Sequence, residues 1–146
     1  MTYLLDTNVI SELRKDKRLD RGVASIDPNV KRWMLSVNPS ALCLSVISIF
    51  ELQVGRLLLE RRDRVQAAHL DAWLQTRVLQ AFAGRILQVD LAIVQRCAPL
   101  HVPDPLEDRD SLIAATALVH GMTVVTRNVT HFARTGVPLL NPWEPR

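Results

Sequence analysis

Three carboxylates stand where a folded chain can put acids to chemical use. Asp6 follows the apolar run Tyr3-Leu4-Leu5 and precedes a helix-like pattern, so the end of a strand delivers it into the turn before a helix. Glu51 lies at the start of a helix that follows Ala41-Leu42-Cys43-Leu44-Ser45, a run without alternation that reads as a strand covered on both faces. Asp110 opens a third helix, apolar and rich in small residues, from Ser111 to Leu118. Each acid also has a local structural use. Asp6 can accept backbone N–H groups as a helix cap. Ser48 and Glu51 have the S-x-x-E spacing of a capping box. Asp108 is placed to cap the helix whose first turn holds Asp110, where negative charge is favourable anyway. Their occurrence together at equivalent positions is what points to a site, because ligands of open α/β sheets bind outside the carboxyl ends of the strands. Three carboxylates brought together raise one another's pKa unless a cation sits between them. Oxygen ligands without His or Cys suit Mg²⁺ or Mn²⁺.

The elements that must position these acids can be followed along the chain. A strand at 3–5 leads to a helix over about 8–14 and then to the charged run Lys15–Gly22, a solvated loop. Asp27-Pro28 starts a helix over 29–37, with Asp as N-cap and Pro at the first helical position. That helix sets Val30, Trp33, Met34 and Val37 on one side. After the strand at 41–45 come the Glu51 helix, a charged turn at 60–64, and a helix over about 64–82 that faces a core with Leu70, Trp73, Leu74, Val78 and Leu79. Next come a strand at 85–89 and a helix over 91–100 capped by Asp90. A proline-stiffened loop, His101–Leu106, leads into the Asp110 helix, which Gly121 ends. A strand at 123–126, a short turn or helix at 129–132 and an edge strand at 136–140 close the chain; Pro138 suits an edge. Such alternation predicts an α/β fold, a three-layer α/β/α sandwich around a mostly parallel sheet of four to five strands, in one domain spanning 1–146.

Composition narrows the partners. The 146 residues are 48% hydrophobic and 23% charged, as in soluble globular proteins. A net charge of +3 permits nucleic acid without requiring it. Three Trp, three Phe and one Tyr are too few for a base-stacking platform of the RNA-recognition-motif type. Cys43 and Cys97 lie in apolar stretches without CxxC spacing, which supports neither a zinc site nor a disulfide framework and predicts a reducing, cytoplasmic setting. There is no signal-peptide pattern at the N-terminus. No apolar run approaches the roughly 20 residues that span a bilayer.

The combination Leu5-Asp6-Thr7-Asn8-Val9-Ile10-Ser11-Glu12-Leu13, Ser48-Ile49-Phe50-Glu51-Leu52, Asp110-Ser111-Leu112-Ile113-Ala114-Ala115-Thr116-Ala117 and Val125-Thr126-Arg127-Asn128-Val129-Thr130-His131-Phe132 resembles the PIN domain. More narrowly it resembles the VapC toxins, including the FitB-like branch, which shares the closing Asn141-Pro142-Trp143. The resemblance implies a metal-dependent endoribonuclease, the toxin of a type II toxin–antitoxin pair. It implies Mg²⁺ or Mn²⁺ held by Asp6 and Asp110, with Glu51 completing the acidic cluster and Asn8 and Thr126 lining the site. PIN domains often carry a fourth acid in a Thr-Arg-Asp type sequence after the last strand; here Asn128 stands there, and His131 neighbours a further position often occupied by Asp. That departure leaves a one-metal site intact and makes a second metal depend on Asp104 or Asp108. Arg109, Arg127 and Lys15–Arg21 are candidates for the RNA phosphate backbone. The implied partners are an RNA substrate and a cognate VapB/FitA-like antitoxin whose C-terminal segment lies in a groove leading to the acids. DNA would be reached only through the antitoxin. Apolar positions on the helices from Ile49 to Leu59 and from Ala67 to Leu79 supply such a groove or a homodimer face.

Two rival readings use the same residues. Phosphoryl chemistry on Asp6, as in receiver domains or aspartate-based phosphatases, is weakened by Asn8, because those phosphatases carry an acid two residues after the nucleophile. A non-catalytic PIN-like module that binds RNA or a partner is kept in view by Asn128.

Overall fold

A computed structural model of the chain describes residues 1–15 and 25–145. In order the elements are β1 (Tyr3–Leu5), α1 (Thr7–Leu13), α2 (Pro28–Ser36), β2 (Leu42–Ser45), α3 (Val46–Glu60) and α4 (Arg64–Trp73). A π-helical turn, Leu74–Val78, joins α4 to α5 (Leu79–Ala81). Then follow β3 (Ile86–Leu87), α6 (Leu91–Cys97), a 3₁₀ turn (Ala98–His101), α7 (Asp108–His120), β4 (Thr123–Val125), α8 (Val129–Phe132) and β5 (Leu139–Leu140). The charged run falls mostly within 16–24 and so lies outside the described residues.

The five strands are parallel and ordered β3-β2-β1-β4-β5. The chain starts in the middle, builds outward to β3, then crosses to build β4 and β5 on the other side. The carboxyl end of β1 is therefore the topological switch point, where open parallel sheets place their ligand crevice. Alternate strand residues supply the two cores. Leu5, Leu42, Leu44 and Val125 face one core with Val9, Ile10, Trp33 and Leu52 from α1, α2 and α3. Leu4, Cys43 and Val124 face the other with Ile113, Ala114 and Ala117 from α7 and Phe132 from α8. The short side chains of α7 let it lie close against the sheet, while Ala115 meets Ile93 and Cys97 of α6. The three-layer α/β/α arrangement is the one the alternation of elements predicts.

The local signals at Asp27, Asp90 and Gly121 act as expected. Asp27 accepts from the N–H groups of Asn29 and Val30, Asp90 accepts from that of Ile93, and Gly121 ends α7 in the left-handed conformation at φ 66°. Two caps differ from expectation. Ser45, not Ser48, caps α3: its Oγ accepts from Ile47 N at 3.0 Å. Pairing of Ser45 with Leu87 holds β2 in strand up to that residue, so the helix begins at Val46. Ser48 then lies inside the helix with its Oγ buried and unpartnered, and the capping-box role for Glu51 disappears. Glu107, not Asp108, caps α7.

Candidate active site

The register of β1 against β4 pairs Leu5 with Val125, so the next residues, Asp6 and Thr126, emerge side by side at the switch point. Thr126 is fully buried, and its hydroxyl donates to Asp6 Oδ2 at 2.8 Å. Thr126 Oγ1 itself accepts from Asn128 N at 3.0 Å and from Asn8 Nδ2 at 3.3 Å. Asn8 Nδ2 also faces Asp6 Oδ2 at 3.3 Å, and Asn8 Oδ1 accepts from Arg127 N at 3.3 Å. Asp6 Oδ1 caps α1 through Thr7 N at 2.8 Å. Asp6, Asn8 and Thr126 are thus one fixed unit. Burial raises the Asp6 pKa, against the hydrogen bonds from Thr126 and Thr7, which favour the carboxylate.

Because α3 starts at Val46, Glu51 lies in its second turn, with its carboxylate directed at α1. Its Oε1 accepts from the Thr7 hydroxyl at 2.9 Å, and its Oε2 is 3.9 Å from Arg109 Nη1. Arg109 in turn lies over the Phe50 ring, 4.9 Å from its centroid. Burial raises the Glu51 pKa first, and the charges of Asp6 and Glu107 add to it. Asp110 occupies the first turn of α7, with its backbone N–H donated to Glu107 Oε2 at 2.8 Å and its Oδ2 3.6 Å from His131 Nδ1. Burial, then the charges of Asp6, Glu107 and Glu51, push the Asp110 pKa up to about 6 against the opposing pull of His131.

The electrostatic group is therefore four acids, and sequence reasoning missed Glu107. Its signal was present three residues before Asp110, but Glu is a weak N-cap type and the adjacent Asp108 a strong one. Asp104 and Asp108 do not join the group: Asp104 faces outward beside Arg134, and Asp108 is exposed. Asn128 contributes its backbone N–H to Thr126, while the residue itself is exposed. Arg127 is exposed and stacked on Trp143 at 5.2 Å, which gives the closing Asn-Pro-Trp sequence a role at this edge. One cleft of ≈ 290 Å³ beside Glu51 is lined by Thr7, Ser11, Arg14, Gly55 and Trp73. Another of ≈ 460 Å³ beside Asp110 is lined by Leu106, Glu107, His131 and Arg134.

Among the described residues no three His, Cys, Asp or Glu side chains converge as placed on a single metal position. The chemistry of the donor set still fits a hard divalent cation. All four acids offer oxygen, and burial, with neighbouring acids, raises the pKa of Asp6, Glu51 and Asp110, a disfavouring of their charged forms that a cation would relieve.

Comparison with known proteins agrees with the topology. A model of the PIN domain matches residues 3–138. The chain is 36% identical to VapC ribonuclease Y4jK of Sinorhizobium fredii, covering 97% of this chain and 98% of that one. It is 35% identical to the toxin FitB of Neisseria gonorrhoeae, covering 96% and 97%. Among solved structures, FitAcB from Neisseria gonorrhoeae superposes with a TM-score of 0.83 at 32% identity, over 99% of this chain and 100% of the other. FitAB bound to an IR36 DNA fragment superposes equally well at 31% identity, over 99% and 98%. With its parallel sheet, its switch-point acid and this extent of similarity, the chain belongs to the PIN-domain family, among relatives named as VapC ribonucleases and FitB toxins.

Proposed function

We propose that the protein is a metal-dependent endoribonuclease, the toxin of a type II toxin–antitoxin module acting in the cytoplasm. The observation that carries this reading is Asp6, buried at the switch point on Thr126 and Asn8, with Asp110 and Glu51 close enough that the charges of Asp6 and Glu107 add to the effect of burial in raising the pKa of both. Asp6 and Asp110 would hold Mg²⁺ or Mn²⁺, with Glu51 completing the set. The bound ion would polarise a phosphate of RNA and make a water more acidic.

The chain's own residues do the rest. Thr126 and the α1 cap fix both oxygens of Asp6, so that carboxylate needs little reorganisation when substrate arrives. Thr7 holds Glu51 Oε1 and Arg109 faces Oε2, so Glu51 is directed toward the site and can orient a water. Arg109 and Arg127 flank the acids and supply contacts to the phosphate backbone, which position the strand without reading sequence. The cognate partner would be a VapB/FitA-like antitoxin, in keeping with the toxin–antitoxin complexes among the structural relatives, and promoter DNA would be met through that partner. A homodimer or a hetero-oligomer with the antitoxin is the proposed assembly.

The test is cleavage of a mixed pool of structured RNAs by purified protein with Mg²⁺, Mn²⁺ or EDTA, beside Asp110→Asn. Metal-dependent cutting that the substitution abolishes is expected. RNA binding without cutting, unchanged by Asp6→Asn, would instead identify a non-catalytic binding module.

A further inference from the structure

His101 ends the 3₁₀ turn before the loop that leads into α7, and its ring touches the residue adjacent to each of two acids. Leu106 N, next to Glu107, donates to His101 Nδ1 at 3.3 Å. Ser111 Oγ, next to Asp110, lies 2.8 Å from His101 Nε2. Ser111 uses its single proton on the Asp108 carbonyl at 2.8 Å, so it accepts from the ring. The network thereby assigns the tautomer: Nδ1 is bare and Nε2 carries the hydrogen. Cys97 Sγ closes the cluster, 3.4 Å from Ser111 Oγ and 3.9 Å from Nε2.

A Cys, a His and a Ser in contact have the composition of a nucleophile–base pair. The geometry argues against that use, because Ser111 is fully buried and Cys97 is 7% exposed. Neither can meet a polymer. What the ring can do is fix spacing. It joins the loop end that carries Glu107 to the helical turn that carries Asp110, while Arg134 grips the same loop from outside through the Pro105 carbonyl at 2.9 Å.

We propose that His101 is a positioning residue of the acidic site, setting where the Glu107 and Asp110 carboxylates stand by holding Leu106 and Ser111. The inference rests on the reading of these acids as the RNA-cleaving site. It is tested on the full chain with His101→Ala, His101→Asn and His101→Gln, and with His120→Ala at the far end of α7 as control. Asn can retain an acceptor for Leu106 N, and Gln a donor for Ser111 Oγ. The readouts are kcat and KM on an RNA that the wild type cuts, Mn²⁺ affinity by calorimetry, and amide hydrogen exchange at Leu106.

His101→Ala should lower kcat about 10- to 100-fold, the usual effect of removing a support behind a metal ligand or misplacing a reacting group. KM should stay within about threefold, Mn²⁺ should bind about tenfold more weakly, and Leu106 should exchange at least about tenfold faster. Each amide variant should recover part of kcat, and His120→Ala should match the wild type. A kcat within about twofold of wild type for His101→Ala would overturn the proposal, as would a loss that neither amide rescues and that tracks a fall in Tm. If His101→Ala does not fold, the amide variants carry the same comparison. A wild type that cuts no RNA would remove the ribonuclease reading instead. Positioning would then stand or fall on whether His101→Ala weakens Mn²⁺ binding and unprotects Leu106.

Discussion

Replacing Asp110 by Asn should stabilise the metal-free protein while destroying its activity. Asp110 titrates at about 6 in the fold against an ordinary value of 3.8. Two units correspond to about 3 kcal/mol of preference for the neutral form. The side chain keeps 23% of its exposure, so solvent screening reduces the effect to about 1–2 kcal/mol. The sign follows from linkage: a carboxyl whose folded pKa is raised carries no penalty below its unfolded value. It gains the penalty as pH climbs from 3.8 towards 6 and carries it in full above that. Asn is neutral throughout and nearly the same shape, and the backbone N–H of residue 110 still reaches Glu107. In EDTA at pH 7.5 the variant should therefore melt about 3–6 °C higher than wild type, and the gap should close by pH 4. Added Mg²⁺ should narrow it at pH 7.5 by stabilising the wild type more, and RNA cleavage by the variant should fall at least about 100-fold. Thermal melts across that pH range decide the matter. A variant no more stable than wild type at pH 7.5, or a gap independent of pH, would refute the claim that burial, with repulsion added, burdens this carboxylate.

Thr126→Val removes the donor to Asp6 Oδ2 and the acceptor of Asn128 N, and should cost about 2–3 kcal/mol in urea denaturation at pH 7, with Thr126→Ser recovering most of it. Phe132→Ala empties a fully buried position between α7 and the sheet and should cost about 3–5 kcal/mol by the same measurement. Arg127→Ala should weaken RNA binding about equally across sequences and reduce the slope of log affinity against log salt by about 1, read by filter binding at several salt concentrations with catalysis blocked by EDTA.

What could be read from the sequence was what local chemistry decides. Asp27 before Pro28, Asp90 before an apolar helix and Gly121 after one act over two or three residues, and each works as its type predicts. The helix over 64–82 was legible as a stretch but not in its winding. Thr76 turns its hydroxyl back to the Ala72 carbonyl at 2.6 Å within the π turn, and Leu74 and Val78 of that turn both reach the core. The choice between Ser45 and Ser48 was beyond local reading, since the pairing of Ser45 with Leu87, forty-two positions on, decides where the strand stops. The same holds for the contact of Thr126 with Asp6, which exists because β1 and β4 are parallel neighbours in one register. Asp6, Glu51 and Asp110 could be singled out from their places beside strands and helices; Glu107 and His101 could not, because their contacts arise only when the loop folds back on α7.

The capping reading and the functional reading of these acids are not alternatives. Asp6 spends Oδ1 on Thr7 N and receives Thr126 on Oδ2, so the cap itself sets the direction of the carboxylate. Glu107 does the same through Oε2 to the N–H of Asp110, so one acid orients the backbone of the next. Glu51, freed from capping by the early start of α3, takes its direction from Thr7, the first residue of the helix that Asp6 caps. The helix ends at the carboxyl edge of the sheet therefore hold Asp6 Oδ1 and Glu107 through backbone donors that the helices must satisfy in any case, while hydroxyls hold Asp6 Oδ2 and Glu51. A buried carboxylate held this way keeps its place although its charge is disfavoured. That separates rigidity from charge balance: backbone and hydroxyl donors supply the first, and under the proposed function a bound cation would supply the second.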